Sequence, residues 1–174
     1  MKKGFLGRFQ PFHLGHHHVL ENHDELAIVI GSIDESGTEE NPLNLEQRKN
    51  LIKACHPALE ILELEDVESD EEWAENLEKL GLDKIITGNE EAEKIIHEHT
   101  DLDVKRPEMH EEKIYSGTEV RRRIKSGEEW RYLTPKCSHK VLERLLEAVK
   151  KSGTQYDFEP GWRRENSYHN TAEK

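Results

Sequence analysis

The chain has 174 residues and a mass of 20.3 kDa, the size of one domain with room for a short appendage. Hydrophobic residues make up 33% and charged residues 36%, against about 25% charged in ordinary domains, so one core must be filled from strongly amphipathic elements. Lys plus Arg number 25 and Asp plus Glu 37, a net charge of −12. That balance argues against a nucleic-acid partner or an anionic membrane surface, but not against a small phosphorylated ligand held by a few local cations.

In chain order, residues 4–7 form a brief predicted strand closed by Gly7. A helical pattern follows over 16–25, then a second strand over 26–30, the most apolar run. A helix starting near Leu45 carries Leu51, Ile52 and Cys55; a third strand covers 59–64. A helix over 70–80 stops at Gly81, a natural residue just past a helix end, and a fourth strand covers 84–87 before Gly88. A weaker fifth strand includes Val104. Strands alternating with helices of this length define an α/β protein with a parallel sheet. Such sheets bind ligands beyond the carboxyl ends of their strands, which directs attention to the loops after Leu6, Ile30, Leu64 and Thr87.

The last third is helical: 117–125, a break at Pro135, then 136–151 with Val141, Leu142, Leu145, Leu146 and Val149 on one face. Residues 1–151 are expected to form one domain and 152–174, polar and aperiodic, a loosely attached tail. No segment approaches the ~20 apolar residues of a membrane span, and Met1-Lys2-Lys3 leads into no signal-like apolar run. Cys55 and Cys137 have no C-x-x-C partner and read as reduced thiols of a cytoplasmic protein.

The densest chemical signal is Gly7-Arg8-Phe9-Gln10-Pro11-Phe12-His13-Leu14-Gly15-His16, between the first strand and the first helix. Gly15 permits close approach of a ligand to the backbone, and the opening helix offers N–H groups and a positive dipole end. His13 and His16 flank that point as donors to one phosphate group, and Arg8 adds a forked cation. An isolated H-x-G-H would read equally as a turn glycine between surface histidines; its place after the first strand favours the phosphate reading. His16, His17 and His18 fan around a helix and cannot share one face, and no H-E-x-x-H pattern or Cys ligand accompanies them, so a dedicated zinc site is unsupported.

The second signal is Ile114-Tyr115-Ser116-Gly117-Thr118-Glu119-Val120-Arg121-Arg122-Arg123. Ser116-x-x-Glu119 is a capping box, and the same geometry makes Ser116, Thr118 and the free N–H groups an anion cradle. Successive helical residues rotate by about 100°, so the three arginines cannot all point at one phosphate. Arg121 is the choice, with Arg122 and Arg123 left to solvent or subunit contacts.

Together the two segments closely resemble the archaeal nicotinamide mononucleotide (NMN) adenylyltransferases, members of the H-x-G-H nucleotidyltransferase superfamily. Asn41-Pro42-Leu43 with Arg48 resembles that family's N-P-F…E-R segment, Thr87-Gly88-Asn89 its S-G-N, and Trp130-Arg131-Tyr132-Leu133-Thr134-Pro135 its W-R-x-L-x-P. The resemblance implies a Rossmann-like, doubly wound parallel sheet with a C-terminal helical segment. It also implies transfer of the adenylyl group of ATP to NMN, giving NAD and pyrophosphate in NAD biosynthesis. His13, His16 and Arg121 would hold the triphosphate, with Arg8, Gly15, Ser116 and Thr118 as further phosphate-binding positions and Asn89 in the ATP crevice. Asp66 and Trp73 would bind NMN, the indole stacking on the cationic pyridinium; on the residues alone Trp73 reads as core packing just as well, and Asn89 as a turn residue. Mg²⁺ would ride on the ATP phosphates with no protein side chain as ligand, and the relatives' hexamers imply a homo-oligomer. The alternatives are phosphopantetheine or FMN adenylyltransferase, a cytidylyltransferase, or a non-catalytic nucleotide-binding regulator. One loop departs from the family: Gly37 stands where relatives carry His, and Glu40 where they carry a basic residue.

Overall fold

The computed structural model describes residues 1–108 and 115–152; the expected tail falls outside them from residue 153 onward. The run Leu26–Ile30 (β2) is buried at every position, as a strand covered on both faces must be. It pairs in parallel with β1 (Lys3–Gly7) and with β3 (Ile61–Glu63), and β1 pairs on its other side with β4 (Lys84–Ile86), which carries β5 (Asp103–Lys105) at the edge. The order is β3-β2-β1-β4-β5, all parallel. The winding direction reverses between β1 and β4, so the switch-point crevice opens beyond Gly7 and Ile86.

The chain divides into two compact units. The first comprises Met1–Arg8, His18–Asp34 and Ala58–His110 and contains the whole sheet. Its apolar core joins Leu6, Val29 and Ile85 from the strands to Leu77 of α3 (Asp70–Glu78) and to Ala92 and Ile96 of α4 (Glu90–His99). Both helices open on a side-chain cap, Ser69 and Asn89, and carry three acidic residues in the first turn, where the helix dipole favours negative charge.

The second unit comprises Phe9–His17, Glu35–Pro57 and Glu111–Lys174. Here α2 (Leu45–Cys55) opens with a complete capping box between Asn44 and Gln47 and packs on α6 (Lys136–Ser152). Between them in sequence come α5 (Gly117–Ser126) and a single 3-10 turn, Arg131–Leu133. α1 (Leu14–Glu21) begins in the second unit and ends in the first.

The expected elements are present with shifted ends: α1 stops at Glu21 rather than at residue 25, and α3 at Glu78. One helix escaped the sequence reading, because α4 buries only Ala92 and Ile96, too short a stripe to stand out. The expectation for the cysteines is overturned. Cys55, closing α2, and Cys137, in the first turn of α6, form a disulfide with their Cα atoms 5.1 Å apart across 82 residues of sequence. Helix packing, invisible in the spacing, brings them together. Among the described residues no helix is long and apolar enough to cross a membrane.

Candidate active site

Beyond β1 the chain turns through Phe9, whose φ of 55° lies in the left-handed region disfavoured for a bulky residue. Such a conformation costs on the order of 1–3 kcal/mol and persists only where packing enforces it. Phe9 and Phe12 are both completely buried, and between them they grip His16: the Phe9 ring lies 4.6 Å from the imidazole centroid, and Phe12 stacks on it at 5.9 Å and 9°. The His13 ring in turn lies 3.6 Å from that of His16, tilted by 27°. The two histidines therefore stand on an aromatic bed. His16 is half-buried and His13 buried.

Two backbone amides set the protonation of these rings. Gly15 N–H donates to Nδ1 of His13 at 3.0 Å, and His13 N–H donates to Nδ1 of His16 at 3.2 Å. A nitrogen that accepts carries no proton, so each neutral ring holds its hydrogen on Nε2. Burial, and secondarily the positive charge of Arg121, push His13 down to about 3. Burial, and secondarily His13, push His16 well below its ordinary value. Both are neutral Nε2–H donors near pH 7. The Gly15 amide, expected to be open to a ligand, is engaged inside the motif.

On α5, Ser116 Oγ accepts the N–H of Glu119 at 3.1 Å, but the return half of the expected capping box is absent. The Glu119 carboxylate instead pairs with Arg122 and Arg123, at 2.8 and 2.7 Å, which holds it down near pKa 2. Arg122 also reaches Glu128, and Arg123 lies over the Tyr132 ring at 5.0 Å. Arg121 points differently. Its Nη1 donates to the Gln10 carbonyl at 2.7 Å and its Nη2 to Thr118 Oγ1 at 3.3 Å. The second unit thus brings His13, His16, Arg121, Thr118 and Ser116 onto two adjoining segments, one contributing neutral donors and the other a permanent cation.

The remaining sequence candidates belong to the first unit. Arg8 is exposed directly after β1, and Asn89 follows β4, so they bracket its switch point. Asn89 is the α4 cap: its Oδ1 accepts from the N–H groups of Glu91 and Ala92, at 3.0 and 3.1 Å, which leaves only its amide NH₂ to face outward. Asp66 is exposed after β3, and Trp73 is half-buried against the core cluster of Leu6, Val29 and Leu77. In the altered loop, Gly37 is buried at φ 68°, a conformation a β-carbon disfavours, and Glu40 is exposed.

Two residues with no role assigned from the sequence shape this arrangement. A β-carbon on Gly117 would lie 2.9 Å from Arg121 Nη1 and 3.0 Å from the Gln10 carbonyl oxygen, so glycine is what lets the guanidinium reach that carbonyl. Gln10 itself is buried, and its side chain pairs with the backbone of Leu43. Both stand inside the motifs; the only sequence signal was a small residue beside a cap and an amide where charge was sought.

A five-stranded parallel sheet with one reversal, and a turn-plus-helix pair presenting imidazole and guanidinium donors, define an α/β protein whose chemistry suits a polyphosphate. The chain belongs to the cytidylyltransferase-like family, whose model matches residues 5–123. It is 31% identical over 172 residues to the nicotinamide-nucleotide adenylyltransferase of Methanolobus tindarius, covering 90% of this chain and 99% of the relative. The enzyme of the same name from Archaeoglobus fulgidus is 30% identical over 83% of this chain and 92% of its own length. Among solved structures, a bifunctional NMN adenylyltransferase/ADP ribose pyrophosphatase from Francisella tularensis, complexed with AMP and a manganese ion, superposes with a TM-score of 0.66 at 24% identity. The match covers 95% of this chain but only 52% of that one, and it shows the shared fold.

Proposed function

We propose that the protein is a nicotinamide-nucleotide adenylyltransferase, converting ATP and NMN to NAD and pyrophosphate. The observation that carries the reading is the pairing of two neutral Nε2–H donors with the Arg121 guanidinium, in a chain whose relatives bear that name along nearly their whole length. The NMN phosphate is already an anion at neutral pH, so the reaction needs no nucleophilic side chain and no base. An oxygen of that phosphate attacks the α-phosphorus in line. The new P–O bond forms as the bond to the β-bridging oxygen breaks, and pyrophosphate leaves with the electron pair. Catalysis then consists of positioning and of stabilising charge on the triphosphate.

In this reading His13 and His16 donate from Nε2 to the phosphates and Arg121 neutralises charge that grows on the leaving group, with Thr118, Ser116 and Arg8 completing the phosphate contacts, while the Gly15 amide serves by holding His13 in its tautomer. Asn89 serves the ATP side through its amide NH₂. Asp66 and the exposed part of Trp73 serve NMN, the indole face attracting the pyridinium. Among the described residues no cluster of three or more His, Cys, Asp or Glu side chains could hold a metal ion, and Mg²⁺ is assigned to the ATP phosphates as part of the substrate. Residues 1–151 are assigned to the transferase and 152–174 to an appendage, in a cytoplasmic homo-oligomer. The test is a panel of acceptors (NMN, nicotinic acid mononucleotide, FMN and phosphopantetheine) incubated with ATP and Mg²⁺ and scored for dinucleotide product and pyrophosphate. Product from FMN or phosphopantetheine, with none from NMN, refutes the substrate assignment. Nucleotide binding without pyrophosphate release would make the protein a regulator.

A further inference from the structure

Gln10 sits in the phosphate-binding turn, yet an uncharged amide neither neutralises a phosphate nor moves a proton. It is only 4% exposed, and its hydrogen-bonding groups are directed at protein partners. Its Nε2 donates to the Leu43 carbonyl at 2.8 Å while its Oε1 accepts the Leu43 N–H at 2.9 Å, a closed pair of bonds to one backbone residue. Its own carbonyl accepts Arg121 Nη1 at 2.7 Å, where Gly117 leaves room for the contact. One residue therefore joins the turn of residues 9–17, the Asn41-Pro42-Leu43 segment that leads into α2, and the guanidinium of α5.

An arginine side chain carries considerable rotamer entropy, which is lost when its head group is immobilised. A guanidinium already anchored on a rigid acceptor delivers its charge with little further ordering, and that preorganisation is what electrostatic catalysis requires. The acceptor here is a main-chain carbonyl, and its direction follows the Gln10 peptide. That peptide is held in turn by the paired bonds to Leu43.

We propose that Gln10 is the positioning residue for Arg121: its side-chain amide, locked on the Leu43 backbone, aims the carbonyl that orients the guanidinium. The proposal rests on the reading of Arg121 as a phosphate-binding group. The Gln10 side chain is engaged on the Leu43 backbone and its carbonyl on Arg121, so the expected route of its effect is the guanidinium.

The experiment is a double-mutant cycle with Gln10→Ala, Arg121→Ala and the double variant, reading both kcat and the Kd for Mg·ATP. Misplacing a catalytic group by about 1 Å can cost up to 10²-fold, so Gln10→Ala should lower kcat or ATP affinity by roughly 10-fold. With Arg121 already replaced, the same change should have an effect of less than about 2-fold, the sign of a coupled pair. Gln10→Glu supplies a second readout. A carboxylate cannot donate to the Leu43 carbonyl, but a protonated carboxyl reproduces both amide bonds. Relative to wild type at each pH, Gln10→Glu should recover as pH falls, while Gln10→Ala shows no recovery. The ratio cancels the titration of His13 and His16, and Arg121 stays charged throughout. Equal losses in both backgrounds, or a flat Gln10→Glu ratio, would show that Gln10 only supports the fold and overturn the proposal. Should Gln10→Ala fail to fold, the near-isosteric Glu variant carries the test alone. If the wild type transfers nothing to NMN, the functional reading fails separately, and Mg·ATP titrations of the four cycle proteins still decide the role of Gln10.

Discussion

The two segments that carry the site are built on opposite principles. The turn from Phe9 to His17 is packed on buried aromatic rings, and its two key imidazoles are uncharged, with their protons placed by backbone amides. Helix α5 is a solvent-facing charge network, in which Glu119 and Glu128 engage Arg122 and Arg123 while Arg121 turns to a carbonyl and a hydroxyl. Donors that must be directional are cheap to bury when neutral; a cation of constant charge is better left near water, where desolvation does not oppose it. A polyphosphate needs both kinds of contact, and each is placed where it is least destabilising.

The largest effects should come from removing one member of either segment. Arg121→Ala is expected to lower turnover by roughly 10²-fold or more while the thermal midpoint stays near wild type, the scale of losing one preorganised contact in a transition state. His16→Ala should cost as much in turnover and should also lower the thermal midpoint, because Phe9 and Phe12 pack on that ring. Near-native turnover in either variant would remove that residue from the mechanism.

The contrast should next appear in pH dependence. His13 titrates near 6.5 when unfolded and at about 3 when folded, so the unfolded chain binds the extra proton between those values. The neutral-pH stability is therefore intact above about 6.5 and erodes as pH falls from there toward 3, by about 2 kcal/mol on reaching pH 5. His16 adds in the same direction. Urea midpoints measured from pH 7.5 to 5 should decline, and His13→Gln should flatten the decline. An unchanged slope in that variant would mean that other groups govern the acid limb. Bound ATP should also flatten it, since phosphate charge favours the protonated imidazole.

Smaller effects are expected at the exposed charges. Glu40 stands in the loop where relatives carry a cation, and Glu40→Lys should lower the Michaelis constant for ATP or NMN at low ionic strength, the gain shrinking as salt rises. An unchanged constant for both substrates would show that Glu40 points away from the phosphates. Arg122→Ala should be the least consequential, leaving turnover within about twofold, because surface ion pairs contribute little and Glu119 keeps Arg123. A large loss in that variant would dissolve the distinction among the three arginines.

Much of this protein follows from its linear pattern. The alternation of apolar runs and helical periods foretells all five strands, the start of α2 at Leu45 and, within one residue, the end of α5 expected at Lys125, because burial and capping are local and periodic. The two segments proposed to bind phosphate are equally visible in the sequence, since each packs its candidate side chains within ten residues or so of one strand or helix end. Long-range contacts decided the rest. The Cys55–Cys137 disulfide depends on α2 lying against α6, and the sequence offered only two distant cysteines. The neutrality of His13 comes from burial and from Arg121, more than a hundred positions away, and Glu119 abandons its cap for two arginines whose geometry no capping rule contains. Gln10 shows the limit most plainly. Its type announces no chemistry, and only the fold, by setting Leu43 against its side chain and Arg121 against its carbonyl, gives the amide something to hold.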